Sequence, residues 1–214
     1  MDTFIVAFWA RVFSVLRWVS LFQPVYKSLP KSFQTYGFVD AWVIGNSILS
    51  VFALLVVEAC PGSFWAYLLA IYGILRVFEV VIYQVNVVLF DVFQKPAVNE
   101  PYQLRGYRRI LILSLHNYFE IIFWFAAMYA NWRSLFGLSC GKKISTFLGA
   151  LYFSMVNMAT LGFGDIYPEN DYGRLIVTSH LIVAVFLTVL ILARFISYLP
   201  KPRSMDKKED ESGT

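Results

Sequence analysis

The clearest chemistry in this chain sits in six consecutive residues, Thr160-Leu161-Gly162-Phe163-Gly164-Asp165. Glycine takes left-handed and right-handed φ values about equally well, so glycines at alternate positions let a strand flip its backbone every second residue. Such a strand aims successive carbonyl oxygens at one axis, where they can replace the water around a cation. Thr160 adds a hydroxyl at one end of that oxygen row, and Asp165 a carboxylate at the other. Leu161 and Phe163 would point outward into packing. A lone Gly-x-Gly is weak on its own, because a glycine turn between two helices looks the same, so the flanking elements decide.

Those elements have a definite order. The run from Tyr107 to Ala130 is long and apolar, the run from Ile144 to Met158 is short and apolar, and a third runs from Gly173 to Leu199. At about 15 residues the middle run cannot cross a bilayer core of about 30 Å, so it must enter and turn back. Backbone that turns at membrane depth is tolerated only where protein or a water-filled cavity surrounds it. Ser145 or Thr146 could cap this short helix. Its C-terminal dipole end favours a cation.

In this order, the segment from Tyr107 to Leu199 resembles the pore of potassium channels: outer helix, re-entrant pore helix, selectivity filter and inner helix. The resemblance implies a homotetrameric pore in which K+, the permeant ion and not a cofactor, is held by carbonyls of Thr160, Leu161, Gly162, Phe163 and Gly164, with Asp165 at the filter mouth. Leu161 stands where the family usually has Val or Ile, and Phe163 where Tyr is commonest, so no hydroxyl there braces the pore helix. Ala159 replaces a common Thr. Val156 occupies a place where some members carry an acidic residue, so a carboxylate partner for Asp165 is absent there. A nonselective monovalent cation channel is the alternative reading. On the inner helix, the resemblance puts Ala184 where many members have a hinge glycine. By the same spacing Val185, Thr188, Leu192 and Ile196 form one stripe that could line the cavity, with a hydrophobic gate at Leu192 or Ile196. Helix packing is the ordinary alternative for each, and His180 reads as a packed polar residue.

The composition agrees with a membrane protein. Of 214 residues, 58% are hydrophobic and 15% charged, against about 25% charged in an average soluble domain. The apolar residues are gathered in blocks. No His/Cys/Glu cluster suggests a metal site, no basic tract is large enough for nucleic acid, and a net charge of +4 needs no partner beyond anionic lipid. A membrane-embedded enzyme would need His116, Glu120 and His180 to converge, and their expected depths differ.

From Phe4 to Phe22 the chain is apolar but carries Arg11 and Arg17 on one side, with Phe8, Val12, Val15 and Val19 opposite. Two arginines in a lone spanning helix are costly, which favours an interfacial helix on phospholipid headgroups. A fifth span is the alternative. Pro24 and Pro30 then mark a linker. The first span is expected over Phe38 to Ala59 and the second over Phe64 to Phe90, joined by a tight turn at Cys60-Pro61-Gly62-Ser63. Arg76 and Glu79, three apart, can pair on one face. Their bland reading is an ion pair between helices. A voltage sensor would need several arginines at every third position. In the third span His116 and Glu120 are four apart. They could bias gating by pH or form a buried polar network, with Arg76 or Arg194 neutralising Glu120.

Lys and Arg crowd the N-terminal segment, the region from Asp91 to Arg109 and the tail. The stretch from Arg133 to Lys143, a polar turret, holds few. The positive-inside rule then puts both termini in the cytoplasm and the filter mouth outside, at the plasma membrane. Cys60 and Cys140 fall together outside, where they could pair or stay free. The expected architecture is therefore an all-α membrane protein with four transmembrane helices, a re-entrant pore helix and filter, and an N-terminal interfacial helix. Residues 1–35 hold that helix and a linker, 36–106 a peripheral hairpin and cytoplasmic loop, 107–200 the pore domain, and 201–214 a disordered tail. Any ligand-sensing regulatory subunit would be separate and is unknown.

Overall fold

The computed structural model describes residues 21–30, 32, 35–89, 107–139 and 144–198, and in the N-terminal stretch residues 4, 5, 8, 11 and 12. Most of the expected interfacial helix, including Arg17, lies outside the described residues. So do the loop after the second span, Cys140, Lys142, Lys143 and the tail. Phe4, Ile5, Phe8, Arg11 and Val12 are helical.

The helices are α1 (Phe22–Ser28), α2 (Tyr36–Ala59), α3 (Phe64–Leu89), α4 (Tyr107–Asn131), α5 (Phe147–Met158) and α6 (Asp171–Tyr198). Four of them contain stretches long and apolar enough to cross a membrane: Gly37–Ala59, Phe64–Val85, Arg108–Asn131 and Asp171–Ser197. The protein is thus a helical multi-pass membrane protein. The turn after α2 uses Gly62 at φ +73°, and the Ser63 hydroxyl accepts the Ala66 amide at 3.2 Å, capping α3.

α4 is the hub. It packs against α2 most extensively, and also against α3, α5 and α6. From Ile121 to Ala130 nearly every residue is buried, the pattern of a helix surrounded on all sides. Small residues let the helices approach. A Cβ on Gly73 of α3 would stand 2.6 Å from Trp124 Cε3 of α4, so only glycine fits.

Two expectations need correction. The linker at Pro24 is in part helical: α1 spans Phe22–Ser28. Pro24 falls in its first turn, where an amide needs no partner within the helix, so the missing N–H costs little. α1 docks on α2 through rings, with Phe22 centroids 6.1 Å from Phe38 and 5.8 Å from Trp42. The turret is not polar throughout. Arg133–Leu135 forms a 3₁₀ turn and Phe136–Leu138 a strand, β1. Phe136 is fully buried because its ring joins an aromatic core with Tyr129 and Phe153, at 5.1 and 5.6 Å.

β1 pairs antiparallel with β2 (Ile166–Pro168) in the register Phe136↔Pro168, Gly137↔Tyr167, Leu138↔Ile166. Ion pairs fasten α2 to the α4 region at both ends. Arg109 meets Asp40 at 2.6 Å, and Arg133 meets Glu58 while also donating to the Ser145 carbonyl at 3.2 Å.

Candidate functional site

α5 begins with Thr146 as N-cap, its hydroxyl accepting the Gly149 amide at 3.1 Å. Twelve residues later the helix stops. Ala159 N–H still donates to Met155 O at 2.9 Å, Thr160 N–H to Asn157 O at 3.0 Å and Leu161 N–H to Val156 O at 2.9 Å. These bonds fix the point from which the strand leaves. The Ser154 hydroxyl donates to the Ile122 carbonyl at 2.7 Å, locking α5 to α4. Tyr129 packs on Phe153 at 4.6 Å from the other side.

The strand that follows alternates in handedness. Thr160 has φ +55°, Gly162 +57° and Gly164 +75°. The two glycines take this region freely. Thr160 is the described non-glycine residue that also does so, a position an L side chain resists. Alternation of this kind turns consecutive peptide planes to the same side. Leu161 is 58% and Phe163 65% exposed in the single chain, so the packing expected around them is not supplied by their own chain. Among the described residues, no hydrogen bond reaches the carbonyls of Leu161, Gly162 or Phe163.

Asp165 is exposed at the end of this strand. Its carboxylate lies within electrostatic reach of the Tyr152 hydroxyl on α5. Sequence reading missed Tyr152. The signal was available, since Tyr152 lies on the helix directly preceding the strand, but an aromatic residue in an apolar helix reads first as packing.

The other sequence candidates separate into distinct places. Arg76 is buried in α3 and forms a fork with Glu120 of α4, Nε to Oε1 at 2.7 Å and Nη2 to Oε2 at 3.2 Å. Its Nη1 reaches Glu79 at 2.7 Å. Trp124 Nε1 donates to the same Glu120 carboxylate at 3.1 Å, and the Phe22 amide of α1 to Glu79 at 2.6 Å. The pair expected at Arg76 and Glu79 is present, and Arg76 is the cation that neutralises Glu120. Arg194 instead donates to the Ser114 hydroxyl at 2.6 Å. His116 does not join Glu120. Its Nδ1 lies 2.9 Å from the Ile112 carbonyl of its own helix. His180 is buried, stacked on Phe125 with centroids 3.8 Å apart, and bonded to the Tyr129 hydroxyl at 2.9 Å. His116, Glu120 and His180 therefore form no common site.

Val185, Thr188, Leu192 and Ile196 lie on one exposed stripe of α6, while Ala184, Leu187 and Ile191 are buried behind it. α6 runs unbroken through Ala184. Cys60 is exposed at the end of α2, and Cys140, with which it could pair or not, lies outside the described residues. Among the described residues no cluster of His, Cys, Asp or Glu could hold a metal ion.

Fold and site together define a four-span helical membrane protein carrying a short fifth helix that ends in an exposed strand of alternating handedness. Comparison with known proteins adds a likeness: residues 111–201 match the ion channel family. The chain is 34% identical over 59 residues to a two pore potassium channel of Oryza sativa subsp. japonica, which is 28% of this chain and 17% of the relative. It is 36% identical over 59 residues to two-pore potassium channel 1 of Arabidopsis thaliana, 28% of this chain and 16% of that protein. Against the potassium channel protein kcv of Paramecium bursaria Chlorella virus 1 it is 25% identical over 93 residues, 44% of this chain and 88% of the viral protein. The alignments thus span less than a fifth of the plant relatives' length. No solved structure matches.

Proposed function

We propose that the chain is a potassium channel subunit, with four identical copies arranged around the strand Thr160–Gly164. The observation that carries this reading is the run of left-handed φ values at Thr160, Gly162 and Gly164 in an exposed strand, within the segment of the ion-channel match. One copy supplies one wall of oxygens, and cyclic symmetry closes the ring. Neighbouring copies would cover Leu161 and Phe163, and the carbonyls would replace the hydration shell of K+. The relatives' names, potassium channels in each case, support the choice of ion.

In this reading α5 points its negative dipole end at the ion path. Asp165, with Tyr152 close to it, shapes the mouth. The α6 stripe at Val185, Thr188, Leu192 and Ile196 lines the cavity, and a narrowing at Leu192 or Ile196 gates by dewetting. Both termini face the cytoplasm of a plasma-membrane protein, because Arg108 and Arg109 lie at the start of α4, the end away from β1 and β2. α2 and α3 cover α4 from lipid.

The test is the reversal potential of the purified protein in lipid bilayers, with potassium on one side and sodium on the other. A value near the potassium equilibrium potential is expected. Gly162→Ala forces an L-residue to φ +57° in all four copies, at about 1–2 kcal/mol each, so potassium conductance should fall by about a hundredfold or more. A reversal potential near zero with robust current would make the protein a nonselective cation channel, with Leu161 and Phe163 the residues responsible.

A further inference from the structure

The carbonyl oxygens of the strand are not all treated alike. Those of Leu161, Gly162 and Phe163 have no hydrogen-bond donor among the described residues, whereas Gly164 O is taken by the Ser139 hydroxyl at 3.0 Å. Ser139 directly follows β1, and the β1–β2 pairing ends at Leu138↔Ile166, so the sheet delivers Ser139 to the outer end of the strand. Its amide donates to Asp165 O at 2.9 Å, which sets its backbone, and its hydroxyl lies 3.3 Å from that same oxygen. A serine hydroxyl has one proton to give, and the shorter distance assigns it to Gly164. The placement is built in depth. Phe136 anchors β1 in the aromatic core, and Glu169 N–H returns to Leu135 O at 2.9 Å.

We propose that Ser139 is a positioning residue of the ion path, an inference that rests on the channel reading above. Its hydroxyl turns the Gly164 carbonyl away from the conduction axis. This ends the coordinating row at Phe163 and pins the outer end of the strand to the sheet. Without the hydroxyl, the Gly164 peptide is free to rotate and the outer mouth to rearrange. Ions bound at the mouth favour the arranged state over the rearranged one, since a ligand stabilises the state it binds. Loss of the hydroxyl should therefore show as a decay of current during sustained opening, and external potassium should relieve it.

The experiment records full-length wild type, Ser139→Ala and Ser139→Thr in planar bilayers, following current decay at fixed voltage as external potassium is varied. Ser139→Ala should decay about fivefold faster at low external potassium, the effect of one neutral hydrogen bond, and approach wild type when external potassium is high. Ser139→Thr, which keeps the hydroxyl, should behave as wild type. Equal decay in wild type and Ser139→Ala at every potassium concentration overturns the proposal while leaving the channel intact. Equal damage by Ala and Thr overturns it too, because shape and not the hydroxyl would then matter. A wild type that passes no current defeats the channel reading instead.

A second measurement is independent of conduction. Gly164-Asp165 is the one Gly-Asp pair in the sequence, so labelling glycine carbonyl carbon and aspartate nitrogen isolates the Gly164 carbonyl by NMR. That signal should shift in Ser139→Ala and return in Ser139→Thr. An unmoved signal shows that the hydroxyl does not hold this oxygen.

Discussion

The charged clamp between α3 and α4 and the strand after α5 treat polar groups in opposite ways. In the clamp, Arg76, Glu79 and Glu120 satisfy one another, Trp124 and the Phe22 amide add donors, and Glu120 is completely buried. Along the strand, backbone oxygens and the side chains of Leu161 and Phe163 stay open in the single chain. Burying a charge without a partner is prohibitive, so a clamp whose groups are consumed within the chain reads as architecture. Open polar backbone in hydrocarbon is equally costly. In the proposed channel, such a strand is completed from outside, by neighbouring copies and by ions. On that proposal the side chains with the most charge are the structural ones, and the functional groups are backbone oxygens.

This contrast can be broken by experiment. The largest effect is expected from Glu120→Leu, which strands Arg76 in the bundle with Glu79 alone. It should lower stability by about 3–5 kcal/mol, read as a lowered midpoint of thermal unfolding in detergent. The double variant Arg76→Met with Glu120→Leu should recover at least half of that, because a removed pair leaves no stranded charge. Whatever current either variant passes should keep the wild-type reversal potential. A changed ion preference would erase the distinction between the two regions.

Gly73→Ala comes next. Its Cβ would meet Trp124 at 2.6 Å, and overpacking of this kind costs about 1–3 kcal/mol, again read in the unfolding midpoint and again with selectivity unchanged. The smallest effect sharpens the boundary. Thr146→Ala removes the α5 cap at about 1 kcal/mol, and since α5 positions the strand, it should raise sodium permeability slightly along with the loss of stability. If selectivity does not move at all, the strand is held by its own hydrogen bonds to Val156 and Asn157 and not by the helix start.

What the sequence revealed and what it concealed follow from the range of the interactions involved. The spans were legible because each is a long apolar run, and their observed ends fall within a few residues of those expected. The short helix and the strand were legible from length and from the glycine spacing of Gly162 and Gly164. β1 was not. Three residues between Leu135 and Ser139 carry no period, and Phe136 is buried by a core drawn from α4 and α5. The fork between Arg76 and Glu120 joins residues 44 positions apart, and the sequence offered two arginines for the role. The separation of His116 from Glu120 was equally hidden, because spacing of four residues places two side chains near one another without saying which neighbouring helix each one meets. The Ser139 hydroxyl bond depends on β1 and was invisible for the same reason.

The two outer ion pairs carry a consequence for the surroundings of the protein. Asp40 with Arg109 and Glu58 with Arg133 join α2 to the α4 region near opposite ends. The helix between Asp40 and Glu58 is about 27 Å long at 1.5 Å per residue. Charged pairs of this kind belong near the headgroups, so together they act as a ruler for the hydrocarbon layer. The two helices are pinned at both ends and cannot slide past each other to follow a thicker membrane. The lipid must adjust, at a fraction of a kcal/mol for each ångström of mismatch.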